Sequence, residues 1–112
     1  MRVVGQVVSV RIHPVKDDPG IDLEHVRVGN EGLDGDRRKK APVHLVGSDA
    51  AQTRANLVLD VPSADLDALV GRSVTVGGTV LGVTRTAGNC LGVYAEVRVP
   101  GSISRGASVT TD

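Results

Sequence analysis

The sequence predicts an all-β, mainly β fold: a small barrel with one or two short helices. Valine fills 21 of the 112 positions, and its branched side chain suits a pleated strand better than a helix. Phe and Trp are absent, so aliphatic side chains must build the core. Fourteen glycines and five prolines supply many turns. A chain of this length fits one domain, and residues 1–112 are predicted to form a single one.

The N-terminal half begins with a long strand over residues 2–12, in which Gly5 is a predicted bend or bulge. Pro14 ends this strand because proline cannot donate to a ladder, and residues 17–20 have the chemistry of a turn. The other segments predicted in this half are strands over 21–28, 41–46 and 56–61, and a loop over 29–35.

Two short helices are predicted outside the strands. Ser48 and Asp49 can cap one that continues to Arg54. Ser63 can cap the other, which stops at Gly71. The second helix places three aliphatic residues on one face: Leu66, Leu69 and Val70.

The C-terminal half reads as regular β structure. Residues 74–76 and 79–86 form a predicted hairpin across the Gly77-Gly78 turn. Residues 93–99 alternate as a strand with one buried face, Pro100-Gly101 turns the chain, and 108–110 close it. A closed or nearly closed barrel is the simplest arrangement that leaves seven or eight short strands without open edges.

Charge and cysteine content exclude several classes of function. Thirteen basic residues balance thirteen acidic ones, so no net field favours nucleic acid or a membrane surface. No signal peptide or membrane span is visible, which predicts a cytoplasmic monomer or small homo-oligomer. The single cysteine excludes an internal disulfide framework and a CxxC metal site. The three histidines have no metal-ligand spacing.

Four segments carry candidate functional side chains. Lys16 follows the first strand, where a solvated loop lysine is the simpler interpretation. In residues 32–37, two glycines allow a tight backbone that aims Arg37 inward to bind a phosphate, or the segment is a hairpin loop with a surface ion pair. Arg54 and Asn56 lead into a strand and either contact a ligand at a barrel mouth or only finish a helix.

The fourth segment contains Cys90. A free cysteine is commonly a small buried hydrophobe, but this one lies between Gly88 and Gly92, in the connection that residues 87–92 form between two strands. Connections run over the surface, so the thiol is expected to be accessible. Arg85 or Arg37 close by would favour the thiolate, which is the form that attacks sulfur or ligates a metal.

The serial order of these segments resembles the MOSC domain (molybdenum cofactor sulfurase C-terminal domain). The likeness covers nearly the whole chain. It runs through Pro14-Val15-Lys16, Gly32-Leu33-Asp34-Gly35-Asp36-Arg37, Arg54-Ala55-Asn56-Leu57-Val58-Leu59-Asp60, residues 77–83, Cys90-Leu91-Gly92-Val93-Tyr94-Ala95 and residues 100–106.

The resemblance implies a barrel that handles the molybdenum cofactor, of the molybdopterin type, or its sulfur. Cys90 would carry a persulfide or ligate molybdenum, and the pterin phosphate would be held by Lys16, Arg37 and Arg54, with Asn56 beside them. No lysine for pyridoxal phosphate is evident, so a partner cysteine desulfurase would supply sulfur, and a molybdoenzyme is the other implied partner.

The sequence departs from the family pattern at two of these places. Lys16 is followed by Asp17 instead of the usual serine, and Gly88-Asn89 replace the basic residue and proline expected before Cys90. Two alternatives therefore stay open. One is a molybdenum-dependent oxidoreductase of N-hydroxylated compounds with Cys90 as metal ligand, and the other is a non-catalytic barrel that serves as an interaction module.

Overall fold

Alternating aliphatic and polar residues build eleven strands in the part of the chain that the computed structural model describes, residues 2–16, 19–37, 41–50, 54–88 and 90–111. The strands are β1 (Arg2–Ile12), β2 (Ile21–Leu23), β3 (His25–Gly29), β4 (Gly32–Leu33), β5 (Val43–Val46), β6 (Leu57–Leu59), β7 (Ser73–Val76), β8 (Thr79–Thr86), β9 (Val93–Val99), β10 (Gly101–Ser104) and β11 (Ser108–Thr111). One helix, α1 (Ser63–Leu66), continues as a 3-10 turn over Asp67–Leu69, and another 3-10 turn spans Ser48–Ala50.

Seven of the strands close into a barrel, which confirms the predicted fold class. They follow the order β1-β11-β7-β8-β9-β5-β6, and β6 pairs with β1 to complete the ring. All neighbours are antiparallel except β5 and β6, which are parallel. The predicted irregularity at Gly5 is present as a register shift between Val3 and Gly5. A closed ring removes the open edges that a flat sheet would expose.

Aliphatic side chains fill the barrel interior, as the composition predicted. Leu45, Leu57 and Leu59 are fully buried in the main core cluster. Val46 and Val58 point to the other face of the same strands and form a second small cluster with Ala50 and Ala55. Parallel neighbours need a crossover connection, and the connection from β5 to β6 covers these outward residues. The outside wall is therefore buried at this point too.

A second sheet, of three strands, corrects two predictions and adds a strand in the C-terminal tail. Residues 21–28 are not one strand, because β2 pairs with β1 in the barrel whereas β3 pairs with β4 and β10. The predicted loop over 29–35 contains β4, and the tail after Pro100 contains β10. The inward residues of this sheet pack into the main core, including Val26, Val28, Leu33 and Ile103. The pairing of β3 with β10 joins segments far apart in the sequence, so it leaves no local signal.

The two helical predictions are partly right. Leu66 and Leu69 are buried, and Gly71 adopts the positive φ of a helix stop (86°). Val70 is 38% exposed and does not join the buried face. The N-cap of α1 is Pro62, not Ser63. Of the first predicted helix, the structure describes the 3-10 turn Ser48–Ala50. The rest of its predicted span to Arg54 includes residues outside the described part of the chain, as do Asp17 and Asp18 of the predicted turn.

Ser63 and Asp49 instead fasten α1 to the connection after β5. Asp49 Oδ1 accepts hydrogen bonds from Ser63 N–H (2.8 Å) and from Ser63 Oγ–H (2.9 Å). Ser63 Oγ in turn accepts from the buried Gly47 N–H (2.8 Å). Because both bonds favour the carboxylate, the Ser63 backbone first and its hydroxyl second, the pKa of Asp49 lies below the usual range of an aspartate.

The Asp49 contacts predict a specific acid sensitivity. A pKa lowered by folding adds stability that is present above the unfolded pKa and is lost as pH falls through the folded value. Asp49→Asn should therefore be less stable than wild type near neutral pH, and the difference should shrink below about pH 4. Melting temperatures between about pH 2 and 7 test this, with Asp34→Asn as a control at an exposed turn. A difference that stays constant with pH would contradict the assignment.

Candidate functional site

Cys90 lies in a tight connection on the barrel surface. The thiol is exposed, as the position of residues 87–92 between two strands predicted. Cys90 N–H donates to Ala87 C=O (3.2 Å), and Ala87 N–H donates to Gly92 C=O (3.1 Å). Gly88 and Gly92 both have positive φ, of 66° and 89°. The turn thus holds the cysteine outward, away from the valine core.

The wall of β5 and β9 supports this connection. A side chain at Gly92 would collide with the Leu45 carbonyl, so glycine is required for the close approach of the two backbones. Next to it, His44 Nε2 lies 2.9 Å from the Leu91 carbonyl oxygen. Since a carbonyl only accepts, the imidazole carries a proton on Nε2.

Two further side chains, Tyr94 and Arg85, lie next to His44 on the outer wall of the barrel. The Tyr94 ring centroid lies 4.9 Å from that of His44, at an interplanar angle of 58°. The Arg85 guanidinium carbon lies 4.5 Å from the Tyr94 ring centroid, a cation–π distance. The sequence suggested that Arg85 acts on the cysteine thiolate, and the contact the structure describes for it is with the tyrosine ring.

Asn56 is the centre of a buried hydrogen-bond network. Its side chain is fully buried and accepts from His44 N–H (3.0 Å). Its amide donates to Asp36 Oδ2 (2.9 Å) and to the Arg11 carbonyl (3.2 Å). The other Asp36 oxygen accepts from His13 N–H (2.7 Å). The predicted ligand-binding amide therefore joins three segments of the chain: the end of β1, the loop before Arg37 and the start of β5.

Arg37 follows this network in the chain. Its N–H donates to the His13 carbonyl (3.3 Å). Its Nε atom is buried and has no hydrogen-bond partner within residues 2–16, 19–37, 41–50, 54–88 and 90–111. A buried guanidinium nitrogen without an acceptor is costly. This arrangement agrees with the predicted inward direction of Arg37, which Gly35 allows by its positive φ of 84°.

The remaining predicted residues lie on the surface. Lys16 is exposed in the turn after β1, and Arg54 is exposed just before β6. The structure groups Asn56 with the Asp36-Arg37 segment, and His44 links this group to the connection of Cys90. Sequence reasoning missed Asp36 and His44. Asp36 had a signal in the glycine next to it, whereas His44 and Leu91 are 47 residues apart and share no pattern.

The described residues hold no group of three or more His, Cys, Asp or Glu side chains arranged for a metal ion. No helix among them has the length and apolarity needed to cross a bilayer. A half-open cleft of about 430 Å³ lies between the start of β1 and α1, and its lining contains none of the predicted site residues. The candidate site is the surface around Cys90 together with the Asn56 network, which His44 links to the Cys90 connection.

The exposure of Cys90 predicts a reactive thiol. In the folded protein it should react completely with a small aromatic disulfide reagent at neutral pH, at a rate close to that of the unfolded chain. The absorbance of the released thiolate measures the rate, and Cys90→Ser gives the blank. Reaction only after addition of denaturant would contradict the exposed placement and remove the basis for a function of this residue.

Comparison with solved structures shows the same architecture in other proteins. The YuaD protein from Bacillus subtilis superimposes with a TM-score of 0.77 over 97% of this chain and 96% of that one, at 12% identity. A hypothetical protein gives 0.74 over 99% and 68%, at 15% identity. YiiM from Escherichia coli gives 0.69 over 96% and 69%, at 12% identity. These likenesses show a shared fold.

Comparison by sequence adds no further relative. No protein-family model and no curated protein matches the chain. The class that the fold defines is a seven-stranded closed barrel of the YuaD and YiiM type.

Proposed function

We propose that the chain is a MOSC-type domain that handles sulfur for the molybdenum cofactor, with Cys90 as the residue that carries it. The observation on which this depends is the exposure of the single cysteine in a turn at the surface. The order of the sequence segments and the barrel that the chain shares with YuaD and YiiM support the same family. Cys90 must remain a free thiol to accept sulfur, and thiols are kept reduced in the cytosol, so the protein is proposed to be cytoplasmic.

Sulfur transfer to Cys90 needs only groups that the two proteins supply. The Cys90 thiolate attacks the outer sulfur of a persulfide on the desulfurase cysteine. A new sulfur–sulfur bond forms at Cys90, the bond within the donor persulfide breaks, and the donor cysteine leaves as thiolate. Cys90 then carries the persulfide, and no external oxidant or reductant is consumed. An exposed thiol is required because the donor is attached to a second protein.

Three basic side chains, Arg37, Lys16 and Arg54, would hold an anionic cofactor. The buried Nε of Arg37, which has no acceptor in the described part of the chain, can donate to a phosphate oxygen. Lys16 and Arg54 are exposed and can add positive charge. Asn56 is assigned a supporting role here, because its amide already holds Asp36 and the backbone of His44.

Persulfide trapping tests the carrier role. The folded protein is incubated with a cysteine desulfurase, cysteine and a persulfide-trapping reagent, and intact mass is measured. Wild type should gain a labelled sulfur, and Cys90→Ser should gain none. Far-UV circular dichroism of the variant confirms that its barrel is intact. Equal labelling of the two proteins would reject Cys90 as the carrier.

Metal analysis separates the carrier from the oxidoreductase. Both proteins are produced in a host that makes the molybdenum cofactor, and their molybdenum content is measured after purification. The carrier assignment predicts sulfur transfer without stoichiometric molybdenum. Stoichiometric molybdenum that disappears in Cys90→Ser would favour the enzyme with Cys90 as metal ligand.

A further inference from the structure

His44 faces the outer wall of the barrel and contacts the segment that carries the cysteine. Its neighbours Val43 and Leu45 are fully buried in the core, so the alternation of β5 directs the imidazole outward. There its Nε2–H donates to the Leu91 carbonyl (2.9 Å). This bond reaches from the wall of the barrel to the residue directly after Cys90.

The segment that contains Cys90 needs a hydrogen bond of this kind to fix its conformation. Cys90 and Leu91 are both exposed, Leu91 at 51%, so little apolar burial holds them. Gly88 and Gly92 allow the turn but also raise the entropy of the unrestrained chain. A hydrogen bond from a rigid strand therefore restricts the direction in which the thiol is presented.

Contacts at both the ring and the backbone hold His44 in place. Its ring packs against Tyr94, which also contacts the Arg85 guanidinium at 4.5 Å. Asn56 binds both polar groups of the His44 backbone. Its backbone N–H donates to the His44 carbonyl (2.9 Å), and its side-chain Oδ1 accepts from the His44 N–H (3.0 Å). The donor of the Leu91 bond is thus preorganised.

We infer that His44 is a positioning residue for Cys90: it fixes the connection in the conformation from which the thiol exchanges sulfur with a partner. The effect on sulfur exchange rests on the proposed function, whereas the restraint on the connection rests on the His44–Leu91 contact. The same contacts join the Cys90 connection, through Asn56 and Asp36, to the segment of Arg37. The cysteine and the proposed phosphate-binding residue are then held by one continuous set of bonds.

Two variants of the full chain separate the effect of the His44 Nε2–H donor from the effect of the size of the imidazole ring. His44→Leu replaces the imidazole by an apolar side chain of similar size and removes the N–H donor. His44→Gln keeps an N–H group that can reach the Leu91 carbonyl. His25→Leu is the matched control, since His25 is exposed on β3 in the other sheet. Thermal melting shows that each variant is folded.

The first measurement is amide hydrogen exchange at Ala87 and Cys90, the two donors within the turn. Loss of one hydrogen bond, worth about 1 kcal/mol, should speed their exchange about fivefold in His44→Leu. His44→Gln and His25→Leu should stay close to wild type. Unchanged exchange in His44→Leu would overturn the inference, because the bond would then not restrain the connection.

The second measurement is persulfide formation at Cys90 over a range of desulfurase concentrations. His44→Leu should lower the rate at saturating donor about fivefold, and His44→Gln should restore most of it. Faster exchange with unchanged transfer would reject the positioning role. If wild type and all variants show the expected exchange but none acquires sulfur, the sulfur-carrier function fails while the His44 restraint on the connection stands.

Discussion

Asn56→Ala should destabilise the protein by roughly 3–5 kcal/mol. The substitution removes three hydrogen bonds at a fully buried position and leaves the His44 N–H, the Arg11 carbonyl and the Asp36 carboxylate without this partner. An orphaned buried polar group costs about 1–3 kcal/mol, and more when it is charged. The free energy of unfolding in urea measures the loss.

Asn30→Ala is the control for Asn56, because Asn30 is exposed in the turn between β3 and β4. Its cost should stay within about 0.5 kcal/mol, as for most surface substitutions. An Asn56→Ala protein that loses less than about 1 kcal/mol would show that water replaces the amide easily. The described network would then not be what holds the Arg37 segment against the barrel.

Gly92→Ala should cost roughly 3–4 kcal/mol and displace the connection that carries Cys90. Gly92 has a φ of 89°, which side chains rarely adopt, and an added Cβ would collide with the Leu45 carbonyl and approach Val46 within 2.8 Å. The obstacle is backbone of the barrel wall and cannot rotate away. Urea unfolding measures the stability, and the rate of thiol modification reports the change at Cys90.

Gly88→Ala offers a matched comparison four residues earlier in the same connection. Its φ is also positive, at 66°, but among the described residues, its chain neighbours aside, no atom lies within 4 Å of the added Cβ. Only backbone strain of about 1 kcal/mol is expected. Equal losses for the two variants would mean that strain alone, and not the contact with β5, makes Gly92 necessary.

Much of the fold was predictable because its strongest signals are local. A strand buries alternate residues, so the run from Val93 to Val97 shows its period of two without any knowledge of its neighbours. The hairpin at Gly77-Gly78 and the stop at Gly71 follow from backbone conformations that only glycine adopts easily. The exposure of Cys90 was predictable for the same reason, since it lies in a gap between two regular strands.

Which site residues the fold brings together was harder to predict from local sequence patterns. For Arg37 the glycine neighbours left two interpretations open, an inward guanidinium and a surface ion pair, and its Nε is buried. Asn56 was predicted to contact a ligand, yet its amide binds Asp36 and two backbone groups. An amide before a strand has no sequence feature that tells which acceptor and donor the fold brings to it.

The amino-acid sequence by itself determined an all-β chain with an aliphatic core and one cysteine in a surface connection, because valine, glycine and alternation act over a few residues. Only the tertiary structure decided that Ile21–Leu23 and His25–Gly29 enter different sheets, and that His44 meets Leu91. Those pairings depend on the stagger of strands around a closed barrel. Stagger is set by the packing of all seven strands together, so no single segment encodes it.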